Sequence, residues 1–133
     1  MKSGLISTSG KRKSAIARVT LKPGKGIVRV NKVLLKNVRP KLAREKITEA
    51  LMLIDDTKNK IDINADVHGG GFISQASAVS LAISRAIAEA FPEVKESLLA
   101  YDRQLLVADV RRKETHKPNR HGKARAKTQK SYR

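Results

Sequence analysis

In residues 15–21 the odd positions, Ala15, Ala17, Val19 and Leu21, alternate with Ile16, Arg18 and Thr20. A period of two predicts a strand with one buried face. Pro23, Gly24 and Gly26 then turn the chain before the β-branched residues 27–30, so the two segments are expected to pair as a hairpin. Leu42, Ala43, Ile47, Ala50, Leu51 and Ile54 recur at helical spacing behind Pro40, a residue that the first helical turn tolerates. Residues 60–68 alternate again, with Ile61, Ile63, Ala65 and Val67 on one side, and three glycines end the run. A long helix is expected to open at Ser74 or Gln75. Its stripe of Val79, Ile83, Ala86, Ile87 and Ala90 is rich enough in alanine to lie close to a sheet. Phe91-Pro92 stops it, residues 93–101 read as a further short helix, and residues 105–110 as a final strand. Beyond Arg111 no apolar periodicity remains. That segment cannot offset its ordering entropy by burial, so it is expected to be extended and disordered until a partner holds it.

These elements fit a single globular domain over residues 1–110 and a tail over residues 111–133. With 133 residues, one domain can bury enough apolar surface to fold without disulfide or metal staples. The chain has no Cys, which removes a disulfide framework, a thiolate zinc site and a thiol nucleophile, and suits a reducing cytosol. No signal segment is expected at the start. Arg85 and Glu89 interrupt the longest apolar run before it nears the roughly 18 residues a spanning helix needs, so a soluble protein with no membrane contact is expected.

Charge changes the picture most. The formal net charge is +17, from 29 Lys plus Arg against 12 Asp plus Glu. Residues 1–41 hold 12 Lys or Arg and no acid, residues 42–110 hold 7 basic and 11 acidic residues, and residues 111–133 hold 10 basic and one acidic. A slightly acidic centre thus carries two cationic ends, whose self-repulsion an anionic partner would neutralise. The cluster Lys11, Arg12, Lys13 with Arg18 lacks the interspersed counter-charge of an ordinary solvated face. The tail is more basic still, although charge alone also fits a localisation signal or a non-specific tail. Two Phe and two Tyr are too few for a base-stacking platform. Recognition is therefore expected through phosphates, sugars and helical shape, and extended basic arms suit a folded RNA. On charge alone a DNA-compacting protein remains an alternative.

Other chemistry is poorly supported. Gly69-Gly70-Gly71 lies between a predicted strand and helix, where phosphate loops occur, but Phe72 and Ile73 break the dinucleotide fingerprint. Gly4 and Gly10-Lys11 suggest a Walker loop, yet five residues separate the glycines and Arg12 stands where Ser or Thr is needed. A tight turn with close backbone approach explains the triple glycine better. His68, His116 and His121, with no Cys or carboxylate at ligand spacing, imply no metal. Asp55-Asp56 and Asp62 with Asp66 suit a helix terminus and an exposed strand face, because nothing brings them to a nucleophile or base. Neither an enzyme nor a cofactor is expected.

Three blocks carry a resemblance. Gly10-Lys11-Arg12-Lys13-Ser14-Ala15-Ile16-Ala17-Arg18-Val19 resembles the N-terminal signature of the small-subunit ribosomal protein S9 family. GGGFISQASAVSLAISRAI, residues 69–87, is similar to its central pattern, and His116-Lys117-Pro118-Asn119-Arg120 with residues 123–133 resembles the archaeal and eukaryotic branch. Ser74 stands where many members have Gly, and Tyr132-Arg133 replaces the bacterial Lys-Arg ending.

The resemblance implies an α+β fold of the ribosomal S5 second-domain type, a mixed sheet with helices packed on one face, a left-handed βαβ crossover and an extended basic C-terminal tail. It also implies a structural component of the small-subunit head, in the cytoplasm. Its partners would be the 3′ major domain of the ribosomal RNA, neighbouring head proteins and peptidyl-site tRNA. Lys11, Arg12, Lys13, Arg18, Arg111, Arg112, Lys113, Lys117, Arg120, Lys123, Arg125 and Lys127 are the expected rRNA ligands, and Lys130 and Arg133 the expected tRNA ligands.

Overall fold

The computed structural model describes residues 4–54, 58–122, 124, 125, 127, 131 and 132. Strands β1 (Ile6–Arg12) and β2 (Ala15–Pro23) form an antiparallel hairpin, and β3 (Val28–Val30) and β4 (Val33–Leu34) form a second, shorter one. Helix α1 (Lys41–Met52), strand β5 (Ile61–His68) and helices α2 (Phe72–Ala90) and α3 (Val94–Tyr101) follow. The sheet order is β1-β2-β5-β3-β4. Among the described strands only β3 and β5 run parallel, so the sheet is mixed and the fold is α+β, of the S5 second-domain kind.

Alternation decides which face is covered. Ala15, Ala17, Val19 and Leu21 of β2 are fully buried, as are Ile61 and Ile63 of β5, and in register these rows meet α2 through Val79, Ile83, Ala86 and Ile87. The intervening positions, among them Ser7, Ser9, Lys11, Arg18, Lys22, Asn64, Asp66 and His68, face outward and are exposed. Helices therefore lie on one side of the sheet only, with α2 over β1, β2 and β5 and α1 packed against α2. Each large aliphatic side chain buried in this way contributes about 1.5–3 kcal/mol.

Close approach of α2 to β1 requires Gly10. A Cβ there would fall on the Ala78 carbonyl and the Ala82 amide of the helix, and the neighbouring Thr8 Oγ1 donates to Ala82 O at 2.7 Å. The glycines at the end of β5 act in the same sense. Gly69 and Gly70 have φ of 73° and 66°, and Cβ atoms on them would crowd Ser14 O and the Ala15 backbone. They make the tight turn and close approach read from the sequence.

Several expectations need correction. The chain does not pair residues 15–21 with 27–30 as a hairpin: β5 lies between β2 and β3. The Asp62 carboxylate accepts the amides of Lys25 at 2.8 Å and Ile27 at 3.0 Å, while Gly24 N donates to Lys60 O at 2.9 Å. The turn thus wraps the start of β5 and delivers β3 to its far edge. The hairpin partner of β2 is β1, a strand that the sequence pattern does not predict. Residues 105–110 form no strand either. Asp102 caps Gln104 N at 2.8 Å and starts a 3-10 turn at Arg103–Leu105, after which the chain is irregular. Helix α2 opens at Phe72, two residues before Ser74, with Gly71 as its N-cap. Leu42 lies off the buried face of α1, whereas Ala43, Ile47, Ala50 and Leu51 lie on it. Asp55 and Asp56 fall outside the described residues.

Candidate nucleic-acid interface

The first cluster sits on the β1–β2 hairpin. Lys11 lies opposite Ile16 and Arg18 opposite Ser9, so both project from the uncovered sheet face, two residues apart across the ladder. On its other side Arg18 is in register with Asp66 of β5. Lys13 occupies the two-residue turn with φ of 54° and is exposed. A left-handed conformation is uncommon for Lys, and such outliers persist only where surrounding structure imposes them. Here the antiparallel ladder closes on both sides of the turn, from Arg12↔Ala15 outward.

Arg12 differs from its neighbours. It points to the opposite side of the strand, its side chain is 22% exposed, and its Nη1 forms an ion pair with Asp109 Oδ2. Asp109 also receives the Arg111 side chain, through Nε at 2.9 Å and Nη2 at 2.6 Å, and the Arg111 amide at 2.8 Å. The Arg111 side chain and amide, with Arg12 beside them, hold the Asp109 carboxyl far below the usual carboxylate range. Arg85 of α2 completes the junction. Its Nε donates to Leu106 O at 3.1 Å and its Nη1 to Ser9 O at 2.9 Å, tying helix, hairpin and the root of the tail together.

The second cluster has no such frame. Residues 111–117 carry no regular secondary structure, and Arg111, Arg112, Lys113 and Lys117 are exposed. Among the described residues the tail also makes contacts within itself. Glu114 accepts Lys117 Nζ at 2.5 Å and Arg125 Nε at 2.7 Å, and an isolated antiparallel bridge joins Arg120 to Lys127. Lys117, and secondarily Arg125, lower the Glu114 carboxyl below its usual range. Arg120 is half-buried, and Arg125 and Lys127 are exposed. Lys123, Lys130 and Arg133 lie outside the described residues.

The sequence reading missed Asp109 and Arg85, which fix where the tail begins, and Lys22 and Arg29 on the uncovered face. Lys22 could have been found: alternation along β2 places positions 16, 18, 20 and 22 on one side. The junction residues give no local signal. His68, His116 and His121 are exposed, and no group of metal-ligating side chains converges among the described residues. No helix among them is long and apolar enough to cross a membrane.

A mixed-sheet α+β protein whose described helices leave one sheet face uncovered, and whose cations gather on a hairpin and an irregular tail, has the charge pattern of a small basic protein suited to an anionic partner. The family model described as ribosomal protein S9/S16 matches residues 10–133. Among curated proteins, the small ribosomal subunit protein uS9 of Methanococcus maripaludis strain C7 is 46% identical over 132 residues, covering 97% of this chain and 98% of the relative. Its counterpart in Methanococcus vannielii is 45% identical over the same shares. The chain belongs to the ribosomal protein S9 family. Membership makes it a ribosomal structural component and not an enzyme, located with ribosomes in the cytoplasm.

Proposed function

We propose that the chain is a constituent of the head of the small ribosomal subunit, gripping ribosomal RNA of the 3′ major domain with both of its basic segments. Residues 1–110 act as the folded anchor and residues 111–133 as the arm. Lys11, Lys13 and Arg18 meet phosphates from the hairpin. Arg12 is engaged by Asp109 in the isolated protein and joins them when that pair opens. Arg111, Arg112, Lys113, Lys117, Arg120, Lys123, Arg125 and Lys127 neutralise phosphates along the tail, and Lys130 and Arg133 reach the backbone of peptidyl-site tRNA. Neighbouring head proteins complete the surroundings.

One observation carries this reading: Arg112 and Lys113, in the stretch just past the tail's root, are exposed on backbone free of helix or strand. Such backbone can follow an irregular line of phosphates, and arginine among its cations can engage them bidentately. The test is the salt dependence of binding to a 3′ major domain fragment. Each phosphate contact contributes about 0.7–0.9 to the slope of log affinity against log salt. Removing residues 111–133 should lower that slope by several units while leaving a cooperatively folding domain. An unchanged slope would remove the tail from the interface.

A further inference from the structure

On the side of the domain away from the β1–β2 hairpin, α1 packs on α2 and leaves a gap against the β3–β4 edge of the sheet. The gap is a groove of about 530 Å³. Val28, Leu35, Leu51, Ile61 and Ile63 form its floor and walls. Leu34 and Met52 stand on its lips, 44% and 64% exposed. Leaving these side chains in water forgoes roughly 25 cal/mol for every Å² that a partner would cover. Contiguous apolar surface of this kind marks an interaction site.

Charge selects the occupant. Lys36 and Arg44 line the groove, and none of its described lining residues is acidic. Arg44 gives one Nη1–H to Lys36 O at 2.9 Å, which fixes the guanidinium at the rim. A guanidinium so fixed is suited to a carboxylate. Ribosomal RNA would satisfy the cations but would place phosphates and sugars against an aliphatic floor, where their desolvation is uncompensated. A protein segment with aliphatic side chains flanked by Asp or Glu satisfies both parts.

We propose that this groove docks an acidic, apolar-anchored segment of another protein, on a surface separate from the RNA-binding arms. The inference rests on the reading that the chain works inside a ribonucleoprotein, and its test reports on the two separately. The chain has no cysteine, so Met52→Cys introduces a single thiol at the groove lip, and Lys113→Cys does the same on the tail. Met52 is mostly exposed, so its substitution leaves the core intact. Each full-length variant is labelled with a benzophenone maleimide, assembled into small subunits and irradiated. The Met52→Cys label should cross-link to a protein peptide carrying acidic residues beside aliphatic ones. That cross-link should fall at least tenfold when Lys36→Glu and Arg44→Glu are added. Alkylation of the unlabelled thiol should slow at least tenfold on assembly. Cross-linking of the groove label to RNA, or an alkylation rate unchanged by assembly, would overturn the proposal. The Lys113→Cys label should reach RNA in every case, and its failure to do so would instead count against the proposed function.

Discussion

The hairpin and the tail carry the same kind of charge on opposite kinds of backbone. Lys11, Lys13 and Arg18 stand on a paired ladder whose covered side is locked to α2 by Gly10 and the Thr8–Ala82 hydrogen bond. Arg112, Lys113 and Lys117 stand on backbone with no ladder at all. Ordering entropy for the hairpin is spent in folding, so under the proposed function its cations would meet RNA already in place. For the tail the same cost would fall on binding, which would lower affinity per contact but let the arm follow a surface that no rigid element would match. Charge pattern alone does not distinguish the two. What separates them is whether the uncharged positions in between have a helix to pack against.

The contrast can be broken most severely at Gly10. Gly10→Ala forces a methyl into the α2 backbone, and overpacking of this kind costs roughly 1–3 kcal/mol or more. A fall in the thermal midpoint of about 10 °C is expected, since 1 kcal/mol corresponds to roughly 4–8 °C in a domain of this size. Hairpin-dependent RNA binding should fall with it. Scanning calorimetry of the variant beside the chain lacking residues 111–133 makes the comparison, because the truncation should barely move the midpoint.

Lys13→Gly sharpens the contrast from the other side. Glycine accepts the left-handed turn without strain but brings a more flexible unfolded chain. Stability should therefore hold or rise by up to about 1 kcal/mol, while affinity for RNA falls and the salt slope drops by about one contact. Denaturant titration and filter binding separate the two effects.

Asp109→Asn addresses the junction and has the smallest expected effect. Releasing Arg12 and Arg111 and removing one negative charge should steepen the salt slope by about one contact and tighten RNA binding slightly. The pH dependence carries a sign. Because the folded protein holds the Asp109 carboxyl below its usual value, the ion pair contributes stability above about pH 4. That contribution is lost as pH falls through the depressed range. Thermal midpoints of the wild type and the Asn variant should differ at pH 7 and converge on acidification.

Much of the fold was legible because burial writes itself into alternation. Residues 15–21 and 61–67 showed period two, and the α2 stripe from Val79 to Ala90 proved to be the buried face. What was hidden was hidden for physical reasons. The inward positions of β1 are Ile6, Thr8, Gly10 and Arg12, a set with almost no apolar alternation, because close packing demands glycine and the junction demands arginine. The insertion of β5 between β2 and β3 depends on Asp62 meeting amides some 35 residues away in sequence, beyond any local pattern. The candidate interface was read by charge, which found the cations but not their constraint. Nothing near residue 12 foretells Asp109, and Arg85 reads as an interruption of an apolar helix until its hydrogen bonds to Ser9 and Leu106 are seen.

The most direct test is amide hydrogen exchange with and without a 3′ major domain RNA fragment at fixed salt. Amides of β1 and β2 should exchange slowly in both states. Those of residues 112–122 should exchange rapidly in the isolated protein and become strongly protected only on the RNA. Slow exchange along the tail before RNA is added, or rapid exchange there in the complex, would contradict the division between a preformed grip and one that forms on binding.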